Sequence, residues 1–312
     1  MDIFLKSISG ILVILGMILV GFVIGEKGWF DDKSRGLIAK LVTQIALPCY
    51  MLYTITQRFT AADLLIMLPA LRFPALSMVI LLGIATGVAR IFAVRQDRRG
   101  LFISMFFNSN TIFVGLPINQ ALFGDDSIPY VLIYYMCNTT FFWTLGTYLI
   151  QRDGEGEAQF DLKTSVKKVF SPPLMGFILG LVMVMLQIKL PAFLASDLQY
   201  LGNLTTPLSM IFIGLSVSHV GVKQLVLGKD QLLILLGRFL VAPLLMATIV
   251  YWVPLPSLMK QVFIIQSAMP VMTNAPVVAR LYGADSDYAA VMVTETTLAT
   301  MVVIPILMLL MA

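Results

Sequence analysis

The 312-residue chain is 59% hydrophobic and only 12% charged, with a mean hydropathy of +0.91. Those values exclude an ordinary soluble domain and describe a polytopic membrane protein. Its net charge of +4 calls for no nucleic-acid partner, because the basic residues follow a membrane-topology pattern instead.

Apolar runs near 20 residues, the length that crosses a hydrocarbon core about 30 Å thick, recur ten times. The expected spans are 8–25, 36–56, 73–93, 101–122, 128–150, 170–188, 196–218, 231–253, 258–281 and 287–311. The first is read as a transmembrane helix and not a signal peptide, because "GEKGWFDDKSRG" follows it and offers no small-residue cleavage site. Cys49 and Cys137 both fall within spans and read as small apolar packing residues, not as a disulfide. Loops after odd-numbered spans hold fourteen of the 21 basic residues and the opposite side holds five. The positive-inside rule therefore places the odd loops in the cytoplasm and both termini outside.

The longest polar segment, residues 151–168, lies near the middle of the chain and reads as a cytoplasmic linker. It separates a five-helix segment at 1–150 from another at 169–312. The two segments share text. Aligning Pro117 with Pro276, an offset of 159, sets "LPINQALFGDDS" over "APVVARLYGADS", and the same offset relates Pro48 of span 2 to Pro207 of span 7. An offset of 157 sets "NTT" at 138–140 over "ETT" at 295–297. Each half holds an odd number of spans, so the duplication is expected to be inverted about an axis in the membrane plane.

Spans 4 and 9 contain the residues least suited to an uninterrupted helix. Span 4 carries Asn108, Asn110, Gly115 and Pro117, and span 9 carries Pro270, Thr273, Asn274 and Pro276. In hydrocarbon every backbone N–H and C=O must find a partner, so a broken helix survives only when packed in protein or lining a wet cavity. Two breaks at mid-membrane depth in inverted repeats point to a transport site. Their half-helix N-termini, with partial positive charge and free N–H groups, suit an anionic group. Asn108 and Asn110 either bridge helices or contact substrate, and the position of Asn110 within the break favours contact. Pro48 and Pro207 read as kinks or helix breaks of a scaffold.

Two ionisable residues lie within spans: Arg238 in span 8 and Glu295 in span 10. At similar expected depth they form either an ion pair that locks two helices or a site that binds or couples a cation or proton, with Asn138, Thr139 and Thr296 beside it. The threonines also have the option of bonding back within their own helices. His219, the single histidine, lies at a span end. The chain lacks H-E-x-x-H and the phosphate-binding G-x-x-x-x-G-K-[ST], so neither a metalloprotease nor ATP coupling is expected. No cofactor is expected beyond Na⁺ or H⁺ as a coupling ion.

"NTIFVGLPINQALFG", "QSAMPVMTNAPVVARLYG", "IALPCYML" and "TTPLSMIFIGLSV" together resemble the auxin efflux carrier family, in particular compact prokaryotic members named as malate or malonate permeases. The resemblance spans essentially the whole chain, and Asn110–Pro117 is its most specific element. It implies an all-α fold of ten helices in two inverted five-helix repeats, similar to bile-acid sodium symporters, with broken helices 4 and 9 crossing. It implies a homodimer in which spans 1, 2, 6 and 7 form a scaffold and the other six an elevator-type transport unit. It further implies that a carboxylate binds beside the crossing, at Asn110, Gly115, Pro117, Asn274 and Pro276.

The reading drawn from residues and resemblance together is a secondary transporter of a small organic anion in a plasma membrane. An uncoupled facilitator, an indole-acid carrier and a non-transporting sensor stand as rivals.

Overall fold

The computed structural model describes residues 2–154, 163, 166, 169–220 and 228–311. Among them every regular element is helical. Most of the linker 151–168 lies outside the described residues. In chain order the α-helices are α1 (Asp2–Glu26), α2 (Asp32–Leu41), α3 (Leu47–Arg58), α4 (Ala61–Met67), α5 (Arg72–Ile91), α6 (Arg99–Phe107), α7 (Gly115–Phe123), α8 (Ile128–Phe141) and α9 (Thr147–Gln151). They continue as α10 (Pro172–Met185), α11 (Ala192–Asn203), α12 (Thr205–Val220), α13 (Lys229–Leu236), α14 (Ala242–Tyr251), α15 (Ser257–Ser267), α16 (Ala275–Tyr282) and α17 (Ser286–Met311).

Among the described residues five continuous helices are long and apolar enough to cross a membrane: Lys33–Arg58, Ala61–Ile91, Ala192–His219, Lys229–Tyr251 and Ser286–Met311. Shorter apolar helices cover Leu12–Glu26 and Pro172–Met185. The expected fourth and ninth spans are each split into two short helices. The expected third span begins twelve residues earlier than its apolar run, at Ala61. The cause is a capping box: Thr60 accepts from the Asp63 N–H at 3.3 Å while the Asp63 carboxylate accepts from the Thr60 N–H at 2.9 Å.

Three wide π-turns, Val42–Ala46, Phe142–Gly146 and Gly237–Val241, interrupt otherwise continuous helices. Two of them end two residues before a proline, Pro48 and Pro243. A proline ring collides with the carbonyl four residues back and offers no N–H, and one extra residue per turn relieves that collision. Pro48 therefore sits inside a helix that stays continuous. Pro207 lies in the first turn of α12, where its missing N–H costs nothing.

The chain divides into two compact units. The second, built from 13–70 and 167–219, contains the segments expected to hold spans 1, 2, 6 and 7. Its helices approach through glycines. Gly176 and Gly180 of α10 lie against Pro48 and against Leu52 and Ile55 of α3, and Gly21 and Gly25 of α1 lie against Ile211 and Ser218 of α12. Each pair is a Gly-x-x-x-Gly spacing, which lets two helix backbones meet where lipid gives apolar side chains no reason to associate. A Cβ on Gly21 or Gly176 would press on the backbone of the facing helix, not on a movable side chain.

The first unit holds 71–166 and 220–312, together with residues 1–12. Its core is built around Phe102, Phe106, Phe107 and Phe142, joined by Val278, Ala279 and Met292. The start of α6 is capped from a distance: the Asp153 carboxylate accepts from the Gly100 and Leu101 N–H groups at 2.9 and 2.6 Å.

Gly21→Val and Gly176→Val are expected to destabilise the second unit by about 1–3 kcal/mol each, the usual range for overpacking a tight contact. Gly83→Ala, where an added Cβ meets nothing within 4 Å, is expected to be silent or slightly stabilising. Thermal unfolding of the three purified variants in one detergent makes the comparison.

Candidate functional site

Both expected breaks are present, and they match in length. Helix α6 ends at Phe107 and α7 begins at Gly115, leaving 108–114 non-helical; α15 ends at Ser267 and α16 begins at Ala275, leaving 268–274 non-helical. Pro117 and Pro276 sit in the first turns of α7 and α16, where a proline presets the helical φ. Both second halves stop at a glycine with positive φ, Gly124 at 72° and Gly283 at 73°, 159 residues apart. Only glycine takes that conformation without strain.

The two breaks meet and bond to each other. The Asn110 N–H donates to the Pro270 carbonyl at 2.8 Å. Around that contact several of the loose backbone groups find partners. The Asn110 side-chain oxygen accepts from the Phe113 N–H at 3.1 Å, and its backbone oxygen accepts from the Gly115 N–H at 3.0 Å. Asn138, fully buried on α8, accepts from the Ser109 N–H at 2.9 Å and donates to the Ser109 carbonyl at 2.7 Å. Thr296 on α17 accepts from the Val271 N–H at 3.0 Å while donating back to Met292. Gln266 donates to the Thr111 carbonyl at 3.3 Å.

Arg238 closes the arrangement. Fully buried in the wide turn between α13 and α14, it donates from Nε to the Met269 carbonyl at 3.0 Å and from Nη1 to the Phe106 carbonyl at 3.1 Å. Nη2 donates to the Ser267 carbonyl. These oxygens lie at the C-terminal ends of α6 and α15, the negative ends of both helix dipoles. Of the two readings of Arg238 and Glu295, the ion pair is not formed here, because the guanidinium is taken up by main-chain oxygens. Glu295 is 7% exposed and neither carboxylate oxygen has a hydrogen-bond partner.

The remaining expected site residues are placed less tightly. Asn108 bonds back to the Ser104 carbonyl at 3.1 Å and leaves its own side-chain oxygen unpartnered. Gly115 packs against the Gln266 amide, which a Cβ there would displace. Thr139 is buried with its hydroxyl unpartnered. Thr273 and Asn274 are half-buried at the start of α16, and Asn274 makes no side-chain cap. Pro270 lies within the break itself. Gln266 carried an available signal, a lone amide in the apolar run "VFIIQSAMP" four residues before a proline. The wide turn Phe142–Gly146 had none: its Gly146 brings α8 and α9 against the Ser104 hydroxyl and the Asn108 amide.

Among the described residues no group of three or more His, Cys, Asp or Glu side chains is placed to hold a metal ion. What the joined breaks present is a buried cation with no carboxylate bonded to it, the spare Asn110 amide N–H₂, and the N-terminal turns of α7 and α16.

The model of the family described as membrane transport protein matches residues 7–308. The chain belongs to the membrane transport protein family. A protein of Methanocaldococcus jannaschii described as an uncharacterized transporter is 28% identical over 299 residues, covering 94% of this chain and 95% of that one. Another of Methanothermobacter thermautotrophicus, also described as an uncharacterized transporter, is 27% identical over 311 residues, covering 97% and 98%. The family match upholds the resemblance to auxin efflux carriers drawn from the motifs. This member of the transport family is a membrane-embedded transport protein and not an enzyme.

Asn138→Ala strips the Ser109 N–H of its partner and leaves the Ser109 carbonyl with the Thr111 N–H alone, at 3.0 Å. It is expected to destabilise the transporter by about 1–3 kcal/mol, the desolvation cost of an orphaned buried group. Arg238→Lys, which replaces a forked donor with a point charge, is expected to cost more than Asn138→Ala because three carbonyls compete for one ammonium. Unfolding midpoints of the two variants against wild type decide the order.

Proposed function

We propose that the protein is a secondary carrier of a small organic anion, a mono- or dicarboxylate such as malate or malonate. The observation that carries this reading is Arg238: a fully buried guanidinium at the crossing whose hydrogen bonds go to neutral carbonyls, with no carboxylate bonded to it. Burying an uncompensated charge costs several kcal/mol, and an anion arriving at the crossing offsets that cost. The spare Asn110 amide and the first turns of α7 and α16 supply donors for its carboxylate.

In this reading the chain is a ten-span protein of two inverted repeats, 1–150 and 169–312, joined by the linker at 151–168. Support comes from the matched seven-residue breaks and the two positive-φ glycines 159 residues apart. The reading further takes transport as an elevator motion in a homodimer. The whole crossing belongs to the first unit, which then carries substrate, while the second unit serves as the scaffold. The membrane is the plasma membrane, with the linker cytoplasmic and both termini outside.

Proteoliposomes holding the full chain and given radiolabelled malate, malonate, succinate, citrate or indole-3-acetate test this reading. Gradient-driven uptake of at least one aliphatic carboxylate is expected. Asn110→Ala is expected to lower its apparent affinity about tenfold or more, as for the loss of one hydrogen bond to a charged group. Flux that survives both Asn110→Ala and Pro117→Ala sinks the site assignment, and indole-3-acetate as the sole substrate sinks the substrate class.

A further inference from the structure

Glu295 is a buried ionisable residue whose side chain makes no hydrogen bond. Asn138 and Glu295 occupy equivalent places in the two halves at the offset of 157 that sets "NTT" over "ETT". Asn138 clamps the first break through both amide atoms, accepting from the Ser109 N–H and donating to the Ser109 carbonyl. In the second half the clamp has moved one residue on, to Thr296, which holds the Val271 N–H. Glu295 has been released from it. Both carboxylate oxygens are enclosed without a hydrogen-bond partner, and the residue is 7% exposed.

An ionised carboxylate in that position lacks everything that normally keeps one ionised in a membrane interior. On α17 itself, Asp287 is exposed and Tyr288 lies two turns away, under the Arg98 guanidinium. On α16, Arg280 is exposed. On α15, Lys260 donates to the Tyr251 carbonyl. Arg238 is held by its three carbonyls, and Arg98 is paired with Asp230 at 2.6 Å. None of these groups forms an ion pair or hydrogen bond with Glu295. A protonated carboxyl, by contrast, has one donor and one acceptor like the amide it replaces, and carries no charge to desolvate.

We infer that Glu295 is the proton-binding site of the transporter: it holds a proton in this conformation and carries it across with the substrate. The step is a protonation alone. A carboxylate takes a proton from water on one side, crosses as the neutral acid, and returns the proton to water on the other. The coupling rests on the transport reading above, whereas the protonation stands apart from it.

Infrared spectroscopy of the purified full chain at neutral pH, combined with uptake in the same proteoliposomes, separates the two. The wild type is expected to show the carbonyl-stretch band of a protonated carboxylic acid. That band is expected to shift on incorporation of ¹³C-glutamate and to be lost in Glu295→Gln. Malate or malonate accumulation driven by an acid exterior is expected to be lost in Glu295→Gln, retained in Glu295→Asp and untouched by Glu26→Gln. A wild-type protein without a glutamate-derived acid band overturns the inference, whatever becomes of the variants. So does accumulation by Glu295→Gln that follows the pH gradient as in wild type, and so does accumulation that follows only a Na⁺ gradient. If no anion moves in any vesicle, the transport reading fails while the band still decides whether Glu295 holds a proton.

Discussion

The membrane interior has no water to bond a loose peptide group, and the architecture of the first unit follows from that constraint. A helix interrupted for seven residues exposes the last carbonyls of one half and the first N–H groups of the other. Neither break could persist alone in hydrocarbon. Bringing them together lets a group of one satisfy a group of the other, as the Asn110 N–H does for the Pro270 carbonyl. Further groups are taken up by the side chains of Asn138, Thr296, Gln266 and Arg238. The breaks thus form a small polar cluster within a unit whose apolar core is rich in phenylalanine.

Arg238 suits its place for reasons of shape as well as charge. Its planar fork reaches three carbonyl oxygens on two different helices at once, which the compact ammonium of lysine cannot do. Those oxygens belong to the ends of α6 and α15, so one cation binds two helix C-termini. The same residue that secures the breaks also leaves a net positive charge among neutral partners. A structural requirement of the backbone and an electrostatic requirement of the proposed anion site are met by one side chain.

Much of this was legible in the sequence. Prolines, glycines and asparagines in spans 4 and 9 marked both breaks, because such residues in a hydrocarbon interior need protein partners for the backbone groups they free. Arg238 and Glu295 were conspicuous for their cost, yet whether they pair could not be read from their spacing. Depth along an axis can be counted from residue numbers, whereas the direction in which a side chain leaves its helix depends on a wide turn such as Gly237–Val241 that no local pattern announces. Gln266 was overlooked beside Pro270. The Gly-x-x-x-Gly contacts of α1 and α10 were hidden by glycines such as Gly16 and Gly83, which face open space and have the same composition.

The two halves share a frame but not a charge distribution. Breaks, first-turn prolines and terminal glycines recur at nearly constant offset. Arg238 does not: at offsets of 157 to 159 its counterparts are Leu81, Ile80 and Val79, all apolar. Glu295 does not recur either, since its counterpart Asn138 is neutral and fully bonded. Both buried charges near the crossing therefore belong to the second half. On the proposed transport reading, the repeated frame supplies two similar helix N-termini, and charge placed in one half alone makes the site favour an anion and gives it a titratable group, without disturbing the bonds that join the breaks.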